Sequence, residues 1–248
     1  MSGHSKWSTI KHKKGAADAK RGKVFTRIIK EMTIAARLGG GDPDGNPRLR
    51  AAVAEAKANN MPKDNMDRAI KRGTGEIEGA MYEEVTYEGY GPSGVAIMVE
   101  ALTDNGNRTT PEIRRIFEKN GGNLGTPGSV RFQFEKKGYF AVEKSAVAED
   151  KLMEIALEAG ADDLQTEDAD AYEIYTTPDN FEAVRQALEA AKIPTVEAKL
   201  GMIPSIYVAT DESAAKQVMR LLEMLDDHDD VQNVWSNFDI PAEMMETA

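Results

Sequence analysis

The repeat of the apolar residues changes near residue 75, and this change constrains the fold more than any other feature of the sequence. Before residue 75, apolar side chains recur at every third or fourth position, which is typical of α-helices with one buried face. After it, β-branched and aromatic residues alternate with polar ones, which is typical of strands. Three glycines between residues 73 and 79 mark a linker. The pattern therefore predicts an α+β protein in which a helical region precedes an α/β region.

Three helices are predicted before the linker. The longest covers residues 15–38, where a stripe of apolar side chains repeats at about 100° per residue, namely Phe25, Ile29, Met32 and Ala36. Three consecutive glycines end this helix, and Asn46 with Pro47 forms an N-cap and first-turn pair for the second helix. Pro62 interrupts the chain again before a short third helix. The first 75 residues are therefore expected to form a small all-helical domain.

The residues from 139 to 202 follow the order β-α-β-β-α-β, which is the split βαβ arrangement of ferredoxin-like domains. The predicted strands of this run are 139–142, 163–166, 172–176 and 196–202, and its predicted helices are 151–159 and 180–191. The run forms one complete unit of α/β structure by itself.

A second set of elements flanks this run. Strands are predicted at 82–87, 95–102, 130–134, 206–209 and 231–235, and helices at 213–225 and from Thr110, with Pro111 in the first turn. Without the middle run, these elements give a second copy of the same topology preceded by one extra strand. We therefore predict a helical domain at 1–75, a discontinuous ferredoxin-like domain at 76–135 plus 205–248, and a ferredoxin-like domain inserted at 136–204.

The charge of the chain is divided unevenly between these regions. The net charge is −11, yet residues 1–75 hold 17 Lys and Arg against 7 Asp and Glu, and the rest holds 14 against 35. Lys and Arg neutralise phosphates and release counterions, so a basic segment of this kind favours binding of DNA or RNA. The predicted nucleic-acid-binding residues are Lys6, Trp7, Lys11, Lys13, Lys14, Lys20, Arg21, Lys23, Arg27, Lys30, Arg37, Arg48 and Arg50.

Two further interpretations of the basic segment stay open. Part of its charge lies on the first helix opposite the apolar stripe, and such a face also serves solubility or docks on the acidic remainder of the chain. Trp7 stands among basic residues, where it stacks on a base or a sugar or anchors the N-terminal arm to the helices. The acidic α/β domains are repelled by phosphate, so we expect them to meet protein partners.

Several classes of protein are excluded or disfavoured. The chain contains no cysteine, so disulfides and thiolate sites are excluded, and a reducing compartment is indicated. No apolar run approaches the roughly 18 residues of a membrane span. The opening MSGHSKWSTIKHKK carries lysine and histidine where an export signal has its apolar core. We expect a soluble, cytoplasmic protein with no membrane partner.

The sequence offers no convincing catalytic, metal or cofactor site. His4 and His12 have no third ligand at a suitable spacing, and the acidic run Asp226–Asp230 is interpreted as a solvated loop after a helix. The G-x-G-x-x-G match at 89–94 precedes a predicted strand, so no helix N-terminus faces a phosphate there. We therefore expect no enzyme, no metal, no cofactor and no small-molecule substrate.

A series of motifs along the whole chain resembles the YebC family of bacterial regulators. The motifs are Gly3–Trp7, Ala19–Lys23, Gly39–Pro43, Asn46–Arg50, Asn59–Pro62, Tyr87–Pro92, Gly121–Gly125 and Met202–Ser205. The resemblance implies a helical domain followed by two α/β domains, and a role that is not enzymatic. It also implies a DNA-binding transcriptional regulator, whereas related mitochondrial proteins are translational activators and some bacterial relatives are linked to ribosomes stalled on proline-rich sequences.

Three functional hypotheses result. The first is a DNA-binding regulator of transcription, and the second is a ribosome-associated translation factor that binds rRNA and relieves stalling on proline-rich sequences. The third is a regulator whose basic head binds an acidic protein. A surface that contacts phosphates does not by itself select DNA over RNA.

Overall fold

The computed structural model describes residues 17–167 and 170–240, with side chains of the first helix described from residue 22 onward. The α+β class predicted from the sequence is confirmed, because helices come first and two four-stranded sheets follow. The described residues form two compact units. One contains residues 17–129 and 213–234, and the other contains residues 130–212 and 235–240.

The three predicted helices of the first region are confirmed. They are α1 (Ala17–Gly39), α2 (Pro47–Ala58) and α3 (Lys63–Thr74). The predicted cap of α2 is present, since the Asn46 side chain accepts a hydrogen bond from the Leu49 backbone N–H at 3.1 Å. The apolar stripe of α1 packs against α2 and α3, with Met32 and Leu49 fully buried.

The first sheet has the strand order β3-β1-β2-β8. Its strands are β1 (Glu83–Tyr90), β2 (Ala96–Thr103), β3 (Asn123–Leu124) and β8 (Val231–Ser236), and the helices α4 (Gly106–Lys119) and α7 (Glu212–Asp226) lie between them in sequence. β1 and β2 are antiparallel over their full length, from Glu83 opposite Thr103 to Tyr90 opposite Ala96. This sheet belongs to the same unit as the three N-terminal helices, apart from the end of β8.

The second sheet has the strand order β5-β6-β4-β7, with every neighbouring pair antiparallel. Its elements are β4 (Phe134–Glu143), α5 (Glu149–Glu158), β5 (Asp163–Gln165), β6 (Ala171–Thr176), α6 (Phe181–Ala190) and β7 (Glu197–Pro204). The predicted β-α-β-β-α-β order is confirmed. Phe140, Leu152, Ile174 and Val184 are fully buried in its core. All strands of the second sheet lie in sequence between β3 and β8. The domain boundaries predicted after residues 75, 135 and 204 remain a prediction.

Four local predictions around the first sheet are wrong. The strand expected at 130–134 is a 3₁₀ turn at Arg131–Gln133, and the strand expected at 206–209 is reduced to one bridge between Val208 and Phe238. β3 forms at Asn123–Leu124, inside a glycine-rich segment where no strand was predicted. α4 begins at Gly106 instead of Thr110, because Asn105 caps it by accepting from the Arg108 N–H at 3.2 Å.

Candidate nucleic-acid interface

The predicted cationic face of α1 lies against the acidic segment Asp226–Asp230, which begins at the last residue of α7. Lys23 Nζ is 3.1 Å from Asp227 Oδ1 and donates to the Asp227 carbonyl at 2.9 Å. One turn further along α1, the Arg27 guanidinium is 3.4 Å from Asp226 Oδ1 and donates to the Asp226 carbonyl. Part of the face expected to meet phosphate therefore meets carboxylates and carbonyls of the same chain.

The third cation of this face, Lys30, is buried and binds Asp230. Its Nζ is 2.6 Å from Asp230 Oδ1, and it donates to the carbonyls of Leu102 at 3.3 Å and Asp229 at 3.0 Å. Lysines are seldom this buried without a partner. The ammonium of Lys30 is thus engaged inside the protein, away from any phosphate.

Asp230 is the centre of a network that joins α1 to the first sheet and to α4. Besides Lys30, its carboxylate accepts from Arg108 at 2.7 Å and from the Thr109 hydroxyl at 2.6 Å. Burial opposes ionisation of Asp230, but the hydrogen bonds from Lys30, Thr109 and Arg108 outweigh it and hold the pKa of this carboxyl well below its usual value. Asp230 therefore stays charged throughout the neutral range.

The fold positions this acidic segment through the two elements that flank it. α7 buries Val218, Leu221 and Leu225 against the core and so fixes where the segment begins. At its end, the Leu102 N–H donates to the Asp230 carbonyl at 2.8 Å, beside the first strand residue of β8. The sequence-based interpretation of Asp226–Asp230 as a solvated loop is wrong for Asp230, which is only 2% exposed.

His228 also belongs to this segment. Its Nε2 is 3.0 Å from Glu112 Oε2 on α4, and its Nδ1 accepts from the Asp230 backbone N–H at 3.1 Å. The ring thus orders the turn that presents Asp230. Within the described residues, no group of three or more His, Cys, Asp or Glu side chains is arranged to hold a metal ion.

Arg48 is likewise engaged within the protein. Its guanidinium contacts Glu31 through two hydrogen bonds of 2.6 and 2.9 Å and contacts Glu84 on β1 at 2.7 Å. These hydrogen bonds, foremost those that Arg48 donates to Glu31, raise the pKa of Arg48 above its already high value despite partial burial. Arg48 therefore joins α1, α2 and β1.

The remaining predicted residues differ in what the structure describes. Arg37 and Arg50 are exposed, and Arg50 donates to the carbonyls of Pro43 and Asp44, at 3.4 and 3.2 Å. Lys20 and Arg21 lie in α1, but their side chains are outside the described residues. Lys6, Trp7, Lys11, Lys13 and Lys14 lie outside the described residues altogether.

A further set of exposed cations lies on α3, outside the residues predicted as contacts. Ala69 is buried, and Gly73 lies so close to α1 that a Cβ there would be 2.4 Å from the Thr33 carbonyl oxygen. The opposite side of α3 therefore faces solvent. Its cations form no ion pairs within the part of the chain that the structure describes, and they are Lys63, Arg68, Lys71 and Arg72. The helical repeat was the available signal, since Arg68, Lys71 and Arg72 recur at three and four positions.

The fold and the distribution of charge place this chain in the class of α+β proteins in which a basic N-terminal helical region is followed by two antiparallel sheets. Models of the TACO1/YebC family match both parts, the N-terminal domain over residues 5–76 and the second and third domain over residues 82–238. The chain belongs to the TACO1/YebC family, so the resemblance seen in the sequence is confirmed.

Individual relatives extend along nearly the whole chain. A probable transcriptional regulatory protein of Desulfotalea psychrophila is 61% identical, with 99% of this chain and 98% of the relative covered. One of Acidobacterium capsulatum is 64% identical, with 97% of each covered. A conserved hypothetical protein of Aquifex aeolicus is 49% identical in sequence to this chain. Its crystal structure superposes with a TM-score of 0.82, covering 92% of this chain and 93% of that one. The names of these curated relatives describe them as probable transcriptional regulatory proteins, so the family is one of regulators.

No helix among the described residues is both long and apolar enough to cross a membrane.

Proposed function

We propose that this protein is a nucleic-acid-binding regulator of gene expression, and that its basic first 75 residues contact the phosphate backbone. The observation that carries the proposal is the row of exposed cations on α3, Arg68, Lys71 and Arg72. They lie on a helix whose other side is fixed by burial of Ala69 and by the close approach of Gly73 to α1. A rigid helix with unpaired cations on its outer side suits a regularly spaced polyanion.

The proposed target is DNA, and the proposed role is regulation of transcription in the cytoplasm. The names of the curated relatives support this role. The alternative is a translation factor that binds rRNA and relieves stalling on proline-rich sequences. Phosphate contacts position a protein on nucleic acid but carry no base sequence, so the α3 cations suit both targets equally.

The proposed role needs no catalysis. The one histidine with a described side chain, His228, is held by Glu112 and by the Asp230 backbone. In this proposal the acidic α/β region faces away from the nucleic acid, because phosphate repels it. That region remains available to protein partners.

The test of phosphate binding compares two pairs of exposed cations that carry the same charge but lie on different helices. Arg68→Gln with Lys71→Gln removes two charges from α3, and Arg114→Gln with Arg115→Gln removes two from α4. Fluorescence anisotropy of a labelled DNA duplex is measured against salt for both double variants. We expect the α3 variant alone to bind more weakly, with a log–log salt slope shallower by up to about 1.8. Equal behaviour of the two variants would exclude α3 as the contact surface.

The choice between DNA and RNA needs a measurement in cells. The intact protein is crosslinked to nucleic acid in living cells, and the attached molecules are sequenced. Recovery of promoter DNA supports the transcriptional role, whereas enrichment of rRNA supports the ribosomal alternative. If the wild-type protein binds no nucleic acid, either in solution or in cells, both the transcriptional role and the ribosomal alternative are refuted.

A further inference from the structure

Three cations of α1 pair in a row with three acids of residues 226–230, which include the last residue of α7 and the turn after it. Lys23, Arg27 and Lys30 are separated by four and three residues, so they lie on one side of the helix. Their partners are Asp227, Asp226 and Asp230, at 3.1, 3.4 and 2.6 Å. The two partners of each pair are about 200 residues apart in the chain, as for Lys30 and Asp230, which are separated by 200.

The three pairs differ in exposure. The side chains of Lys23 and Asp227 are 43% and 58% exposed, those of Arg27 and Asp226 are 18% and 16%, and those of Lys30 and Asp230 are 8% and 4%. An exposed ion pair contributes little net stability, because both charges are nearly as well satisfied by water. A buried pair is far harder to separate, since either charge alone would be left without solvent. The row is therefore anchored at Lys30 and open to exchange at Lys23.

The acidic segment offers α1 the same chemistry as a nucleic-acid backbone. Lys23 meets both a carboxylate and a carbonyl oxygen of Asp227, and Arg27 meets both kinds of oxygen on Asp226. Phosphates offer oxygens of comparable geometry, but at a much higher charge density and with release of counterions when they are bound. A polyanion can therefore displace the two outer acids, whereas a single small anion gains too little.

We propose that the Asp226–Asp227 segment is an intramolecular competitor of nucleic acid: it occupies Lys23 and Arg27 in the free protein and is displaced when phosphates bind. The Lys30–Asp230 pair stays closed and keeps α1 in place. This inference rests on the proposed function and specifies how that binding is regulated. This competition lowers the affinity of the protein for nucleic acid in general. Only a target that binds several cations at once displaces Asp226 and Asp227 from Lys23 and Arg27.

The central experiment compares charge-matched variants. Asp226→Asn with Asp227→Asn removes the competitor, and Asp229→Asn with Glu118→Gln removes two exposed acids that form no ion pair with α1 within the described residues. Binding of a labelled DNA duplex and of a labelled RNA hairpin is measured against salt. We expect several-fold tighter binding for the first variant than for the second, with a duplex salt slope steeper by up to about 1.8 because two more cations reach phosphate.

A coupled substitution tests whether the gain passes through the α1 cations. Lys23→Ala with Arg27→Ala is introduced into the wild type and into the Asp226→Asn, Asp227→Asn variant. We expect the lysine and arginine to matter little in the wild type and to cost most of the gained affinity in the variant. Equal losses in both backgrounds would overturn the inference.

A single variant and the wild type distinguish a folding defect from a failure of the inference. Asp227→Asn alone changes the most exposed of the three pairs, so we expect it to fold even if the double variant does not. We expect this single variant to steepen the duplex salt slope by about 0.9. If the wild type binds nucleic acid and the Asp226 and Asp227 variants match the control, the contact is permanent and the inference fails while the proposed function stands. If no variant binds either probe, the proposed function fails and the inference fails with it.

Discussion

α1 and α3 are both basic helices of the same small helical region, yet they use their charges differently. Lys23, Arg27 and Lys30 of α1 meet acids brought to them from the other end of the chain, Lys30 most completely. The cations of α3 face solvent, because its buried side is fixed by Ala69 and Gly73. A charge count therefore locates a basic region but does not identify which cations remain available to a ligand. Availability depends on where the acids of the fold arrive.

The largest expected effect tests the anchored end of α1. Asp230→Ala leaves Lys30 buried without a counter-charge, so we expect the free energy of unfolding to fall by about 3–5 kcal/mol, measured by urea denaturation. The adjacent, exposed Asp229→Ala serves as the control and should change little. Because the folded pKa of Asp230 lies below its unfolded value of 3.8, its contribution is full above that pH and is lost as pH falls below it. The difference between wild type and Asp230→Ala should therefore stay constant from neutral pH to about 5 and shrink only in stronger acid.

The burial of Asp230 is a feature that the sequence alone could not predict. The three helices, the cap at Asn46 and the β-α-β-β-α-β order depend on patterns within short segments, and these predictions are confirmed. The burial of Asp230 depends on Lys30, 200 residues away, and nothing in the run Asp226–Asp230 distinguishes the buried acid from its exposed neighbours. Local competition explains another error, since Asn105 caps α4 one turn before the expected Thr110.

For the candidate site, too, the sequence indicates the region but not the contacts between residues that are far apart in the chain. Its location in the basic region follows from charge alone, and Arg37 and Arg50 are exposed as a contact requires. Lys30 and Arg48 were included with them because they are basic, but their acidic partners can be identified only once the chain is folded. The cations of α3 belong to the same basic region, but Asp64 and Asp67 lie among them in the sequence, and only the folded helix shows that Arg68, Lys71 and Arg72 are exposed.

A smaller effect separates structural from binding roles at Arg48. Arg48→Lys keeps the charge but loses the two-point contact with Glu31, because an ammonium cannot match the geometry of the guanidinium. We expect a loss of about 1 kcal/mol in unfolding free energy and unchanged affinity for a DNA duplex. Arg50→Lys, which alters an exposed arginine of the same helix, is the matched control for stability. Weaker DNA binding by Arg48→Lys, with stability intact, would instead place Arg48 in the interface.

The smallest expected effect tests the open end of α1. Lys23→Ala removes an ion pair whose two side chains are both about half exposed, so we expect the free energy of unfolding to change by no more than about 0.5 kcal/mol. Arg37→Ala, an exposed cation of the same helix with no ion pair among the described residues, should behave alike in denaturation. A loss at Lys23 as large as the loss of about 3–5 kcal/mol expected for Asp230→Ala would mean that the outer pair at Lys23 is as structural as the inner pair at Lys30. The contrast between a closed and an exchangeable end of this helix would then be wrong, and α3 alone would carry the available charge.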